Sequence, residues 1–171
     1  MLKSAKRLAE LKNLLLSGKY NEIHDRISML RSEEPFEGAI RLLARFYDET
    51  GNEGLKPEIA AFFNDMKERS GQAEVIASIS SATRPSSKAM LASSCWQSGL
   101  DYSEFAVPLA DAFMEGDYLT SLECYTVLDT CSGSISDNDR KTILIRLQKE
   151  VRQYDAPKQK LTGELITVLK G

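Results

Sequence analysis

Histidine is almost missing from this chain: in 171 residues His24 stands alone. Any Ser-His-Asp or Cys-His arrangement therefore has to run through that one imidazole, and an exposed or capped surface histidine is the simpler reading. Cysteine is scarce as well. Cys95, Cys124 and Cys131 are an odd number without a Cys-x-x-Cys pair, which suits reduced thiols in a cytoplasmic setting better than a disulfide framework. Cys124 and Cys131 lie two turns apart on one helix, about 10 Å along its axis, too far for a disulfide and awkward for one metal ion. They read as buried structural thiols. No apolar run approaches the ~20 residues of a spanning helix. The basic start, Met1 to Arg7, is followed by Glu10 and Lys12 where a signal peptide needs an apolar stretch, so none is expected. Gly51-Asn52-Glu53-Gly54 has neither the spacing nor the Lys-Ser/Thr pair of a phosphate loop, and Ser136-Asp137-Asn138-Asp139 lacks the later Gly and Glu of a calcium loop. No catalytic residue, metal ligand or cofactor is assigned on these grounds.

Positive charge is absent over a long stretch. Residues 89–139 contain no Lys or Arg and nine acids, Asp101, Glu104, Asp111, Glu115, Asp117, Glu123, Asp129, Asp137 and Asp139. The formal net charge of -3 thus divides into +4 over residues 1–19, -3 over 20–88, -9 over 89–139 and +5 over 140–171. Two readings follow. The acidic block packs beside the basic ends of its own chain, or it forms a binding face for a basic segment. On the second, the candidate binding residues are Asp101, Glu104, Asp111, Glu115 and Asp117. Asp111 and Glu115 are i, i+4 and share a helix face.

What is present is helical periodicity from end to end. Leu8, Leu11, Leu14 and Leu15 mark one face of a first helix that Gly18 stops. Ile23, Ile27 and Leu30 mark a second. Pro35 is placed at the start of a third, whose inner face is Ala39, Ile40, Leu43, Phe46 and Tyr47. Pro57 opens a fourth, and a fifth carries Val75, Ile76 and Ile79. Arg84-Pro85 precedes a sixth with Met90, Leu91 and Cys95. Asp101 with Glu104 has capping-box spacing before a seventh. The eighth, Tyr118 to about Cys131, has two apolar stripes offset around its cylinder, as a helix sandwiched between neighbours has. Ser136 and Asp139 start a ninth, and Pro157 a tenth. The composition, 42% hydrophobic, suffices for one core.

The segment Glu58 to Ile79 superposes on Glu104 to Tyr125 at an offset of 45 to 46 residues, within the range of helical solenoid units. The stretch Pro108-Leu109-Ala110-Asp111-Ala112-Phe113-Met114-Glu115-Gly116-Asp117-Tyr118-Leu119-Thr120-Ser121-Leu122 resembles a HEAT-like, armadillo-type repeat: an apolar helix, a short acidic turn and a second helix with small and aliphatic residues inside. The Val-Arg usual after the turn is replaced by Leu119-Thr120. The resemblance covers residues 36–155 and implies an all-α, α-α superhelix, a solenoid of stacked antiparallel helix pairs with about ten helices. Residues 1–171 then form a single domain, with 1–33 as N-terminal capping helices and 156–171 as a C-terminal capping helix. It implies a non-catalytic scaffold for an unidentified protein or peptide, basic if the acidic face is what binds. The alternative is a nucleic-acid-binding relative of the HEAT-like DNA-repair glycosylases, disfavoured by a pI near 5.3. Oligomers through exposed end repeats are the expectation of a purely structural role.

Overall fold

Ten α-helices and short turns account for the computed structural model, which describes residues 2–171 and contains no strand among them. Met1, the start of the basic N-terminal segment, lies outside the described residues, and of Leu2 and Lys3 only the backbone is described. The helices are α1 (Leu2–Ser17), α2 (Tyr20–Leu30), α3 (Ala39–Glu49), α4 (Lys56–Asn64), α5 (Gln72–Ser81), α6 (Pro85–Gln97), α7 (Ala106–Glu115), α8 (Tyr118–Thr130), α9 (Asp137–Glu150) and α10 (Ala156–Lys170).

Each odd-numbered helix packs on the even one that follows it, giving five hairpins. Each helix also packs on the one two places along, so the odd helices build one layer and the even helices a second. This is an all-α, solenoid-like superhelix, and one hydrophobic core runs through it from Leu11 to Leu169. Helix α8 touches α6, α7 and α10, as its two stripes require. Even-numbered helices lie closer together than odd-numbered ones. We refer to this more closely packed even layer as the inner one. Small residues make the tightness: Ala89, Ala92, Ser94 and Cys95 of α6 and Thr120, Ser121 and Cys124 of α8 are all buried.

The repeat length differs from the one superposed in sequence. Odd helices begin at Leu2, Ala39, Gln72, Ala106 and Asp137, so successive units advance by 37, 33, 34 and 31 residues. An offset of 45 to 46 lays α4, an inner-layer helix, on α7, an outer-layer one. Both are short, apolar and followed by a turn, and that local likeness misled the alignment. The units are shorter than the roughly 40–47 residues of HEAT repeats.

Side-chain caps open the last three helices. Asp117 caps α8 by accepting from Thr120 N at 2.9 Å, Ser136 caps α9 by accepting from Asp139 N, and Asp155 caps α10 by accepting from Lys158 N. Helix α3 departs from the sequence reading, starting at Ala39 and not at Pro35. Gly38 precedes it at φ +84, and its N–H and that of Arg41 donate to the Glu74 carboxylate of α5. A neighbouring unit therefore sets where α3 begins. Asp101 likewise does not start α7. Its Oδ1 accepts from Ser103 N, a 3₁₀ turn spans Ser103–Phe105, and α7 follows. Gly71 is pressed against the preceding unit, since a Cβ there would lie 2.3 Å from Ile40 Cδ1.

Asp48 ties α3 to α6 across the stack. It is 7% exposed and accepts from Thr83 N, Thr83 Oγ1 and Arg84 N at 2.8 to 3.0 Å, just ahead of the first turn of α6. Burial alone would raise its pKa, but these hydrogen bonds outweigh it and hold the carboxyl at about 2. A depressed folded-state pKa means stabilisation that is complete above the unfolded value of 3.8 and lost as pH falls toward 2. Replacing Asp48 with Asn should cost about 2 kcal/mol at neutral pH, and the gap to the parent should close between pH 4 and pH 2. Urea denaturation of both proteins across that range measures it.

Candidate functional site

The five acids singled out in the sequence do not converge. Asp101 and Glu104 precede α7, while Glu115 and Asp117 stand at its far end, so the ten-residue helix separates the two pairs by about 15 Å. Asp111, between them, forms an ion pair with Arg146 of α9. Asp117 is spent on the α8 cap, and its pKa is lowered by the Thr120 hydroxyl and N–H. Asp101 holds the Ser103 turn, while its carbonyl oxygen accepts from Gln72 Nε2 at 2.8 Å. Glu104 and Glu115 are exposed.

Two basic residues of the C-terminal section, Arg140 and Lys158, turn inward. Arg140 donates to the carbonyl oxygens of Ser132, Ile135 and Leu169. Lys158 is buried and donates from Nζ to Met114 O and Gly116 O, at the C-terminal end of α7, with the Tyr154 ring 4.5 Å away. Burial lowers its pKa against the pull of Asp155 and Asp117. Of the two sequence readings of the charge blocks, packing of acidic against basic segments within one chain accounts for Asp111 and for the surroundings of Asp117. Lys141, Lys149, Arg152 and Lys160 stay exposed on α9, α10 and the turn between them.

His24 sits at the surface of α2 between Asp25 and Glu58, its Nδ1 3.3 Å from the first and its Nε2 3.7 Å from the second, with Tyr20 stacked at 6.0 Å. The three thiols are buried and free. Burial pushes Cys95 up, Cys124 to about 12 and Cys131 to about 11, so they remain protonated. Among the described residues no group of three or more His, Cys, Asp and Glu side chains could hold a metal ion, and no helix is long and apolar enough to cross a membrane.

The more informative surface lies at the C-terminal ends of the inner helices, which all emerge on one edge of the stack. A concavity of about 180 Å³ opens there between α6 and α8, lined by Trp96, Leu100, Asp101, Tyr102, Val127 and Cys131 among others. Trp96 is the sole tryptophan and is 40% exposed. Its Nε1 donates to Glu123 of α8 at 2.8 Å, which fixes the ring. Tyr102 is 1% exposed, and its hydroxyl is buried beside Cys95 and Ser98. Burial pushes its pKa up, so it is a neutral phenol. In the sequence Trp96 falls near the end of the sixth helix and Tyr102 ahead of the seventh, and no spacing marks either as part of a site. The charge profile pointed to Asp101, but nothing in the sequence showed that the ends of α6 and α8 meet beside it.

The Asp111–Arg146 pair can be measured directly. Both side chains are more than a third exposed, so a double-mutant cycle of Asp111→Ala and Arg146→Ala in thermal or urea unfolding should give a coupling of about 0.5–1 kcal/mol, shrinking in high salt.

Comparison with family models, with curated proteins and with solved structures finds no match to this chain.

Proposed function

We propose that the protein is a non-catalytic interaction scaffold that holds a partner polypeptide against the inner layer of its helical stack. The observation that carries this reading is Trp96: a fixed, solvent-facing indole beside a concavity on the tighter layer of a repeat stack. Repeat stacks use such extended surfaces to bind, and tryptophan is among the residues on which interfaces most depend. Exposed Gln97 and Thr130 flank it with hydrogen-bonding groups. The thiols are held protonated, His24 lies between two surface carboxylates, and Asp117 is bound in a cap, so none of these groups is poised for acid-base or nucleophilic work. The kinship proposed with HEAT-like and armadillo-type proteins is architectural, helix pairs stacked side by side, with shorter units.

Photo-crosslinking tests the assignment of the face. A benzophenone side chain placed at Gln97 or Thr130 should capture a protein partner in the native cell, while the same group at Ala77 of α5 or Lys141 of α9 should not. Capture from the outer positions alone would refute an inner-layer binding face.

A further inference from the structure

The inner layer has four seams between successive helices, α2/α4, α4/α6, α6/α8 and α8/α10. At three of them the chain places a cation of its own on the C-terminal edge. Arg31, after α2, donates from Nε and Nη2 to Asp65, which caps α4. Lys67 donates from Nζ at 2.8 Å to the carbonyl oxygen of Ser98, which caps α6. Arg140 joins Ser132 O, just past α8, to Leu169 O in the last turn of α10 at 2.7 and 3.0 Å. A cation there meets the partial negative charge at helix C-termini and carbonyl oxygens that the helix ends leave unpaired. Concavities of about 180 Å³ open at two seams: the one at α2/α4 is lined by the chain's own Arg31 and Lys67, and the one at the remaining seam, α6/α8, is not. It lies inside the 51-residue stretch without Lys or Arg, and no basic residue lines it.

Its walls suit one long cationic side chain. The volume is below the roughly 300–1,000 Å³ of sites for drug-sized ligands. Leu100 and Val127 offer an apolar channel for a methylene stem, and the indole of Trp96 a face on which a planar cation stacks. Asp101 supplies the counter-charge on the same wall. Guanidinium fits this set better than ammonium, because it stacks on aromatic faces and is the less strongly hydrated cation.

We propose that the α6/α8 pocket is a socket for an arginine side chain of the bound partner, supplying from outside the cation that the other seams carry within the chain. The proposal rests on the scaffold reading above and specifies its partner's chemistry: a polypeptide that presents an exposed arginine. Its test does not need the natural partner. Four pentapeptides, Gly-Ser-X-Ser-Gly with X as arginine, lysine, citrulline or leucine, are titrated into the full chain at millimolar concentration. Binding is followed by Trp96 fluorescence and by amide and indole NMR shifts. The arginine peptide should shift the Trp96 indole and the amides of Gly99 to Tyr102 and Thr130 to Ser134. Citrulline, the same shape without charge, should bind at least about tenfold more weakly. Asp101→Asn keeps the acceptor for Ser103 N and should weaken the arginine peptide by roughly threefold to fivefold without changing the melting temperature. Equal binding of arginine and citrulline peptides, shifts confined to other surfaces, or no binding of any peptide would each overturn the socket. The crosslinking result at Gln97 and Thr130 stands independently of these outcomes, so loss of the socket and loss of the scaffold reading are told apart.

Discussion

The closeness of α6 to α8 is the constraint on which the rest of the molecule depends. Helix axes approach only as far as facing side chains permit, and here the facing residues are alanine, serine, threonine and cysteine. Their polar atoms are satisfied locally: Ser94 Oγ and Cys95 Sγ on Leu91 O, Ser98 Oγ on Cys95 O, and Ser121 Oγ on Phe113 O. A seam of this kind buries hydroxyls without cost to neighbouring helices. It also leaves large side chains for the helix ends, which is why Trp96 and Tyr102 crowd the margin of the seam and shape the concavity there. A leucine at Ala92 or Ser94, both buried, would spread the packing of α6.

Charge segregation along the chain is resolved by folding at two places. The acidic middle and the basic C-terminal section meet through Arg146 and Asp111, and Lys158 reaches the α7–α8 turn beside Asp117. Buried cations on carbonyl oxygens serve as pins between units, which explains why Lys158 is tolerated among Phe113 and Tyr154. The net charge of the whole chain conceals this division, and within the acidic block Asp111 and Asp117 have structural work while Asp101, Glu104, Glu115, Asp129 and Asp137 are exposed.

The helices themselves were legible from periodicity. The apolar spacings of α1, α2 and α8, the glycine stops and the Ser136 cap match the structure closely. Two starts were not. Pro35 is a good first helical residue in isolation, but the donors that begin α3 are satisfied by Glu74, 36 positions from Gly38, and no local pattern encodes a partner at that distance. The Asp101–Glu104 spacing implied a capping box, and the chain makes a 3₁₀ turn in its place. The all-helical stack was legible and the length of its units was not, because inner and outer helices share composition and only packing distinguishes them. Of the candidate site, charge absence located the segment and Asp101 within it. Trp96, Tyr102 and the seam between them depend on two helix ends separated by more than 30 residues, so the sequence could not assemble them.

Asp48 and Glu74 have a consequence for how such a stack comes apart. Each supplies the terminal hydrogen bonds of a helix that belongs to a different unit: Glu74 serves α3 from the following hairpin, and Asp48 serves α6 from the preceding one. In a one-dimensional array, stability is a sum of unit terms and nearest-neighbour terms, and arrays with weak neighbour terms fray from their ends. Reciprocal capping moves free energy from the first kind of term to the second. Units two and three then have poorly started helices when separated and well-started helices when joined, which favours a single cooperative transition over stepwise peeling at this junction. Nearest-neighbour coupling here is set by two carboxylates as much as by buried apolar area.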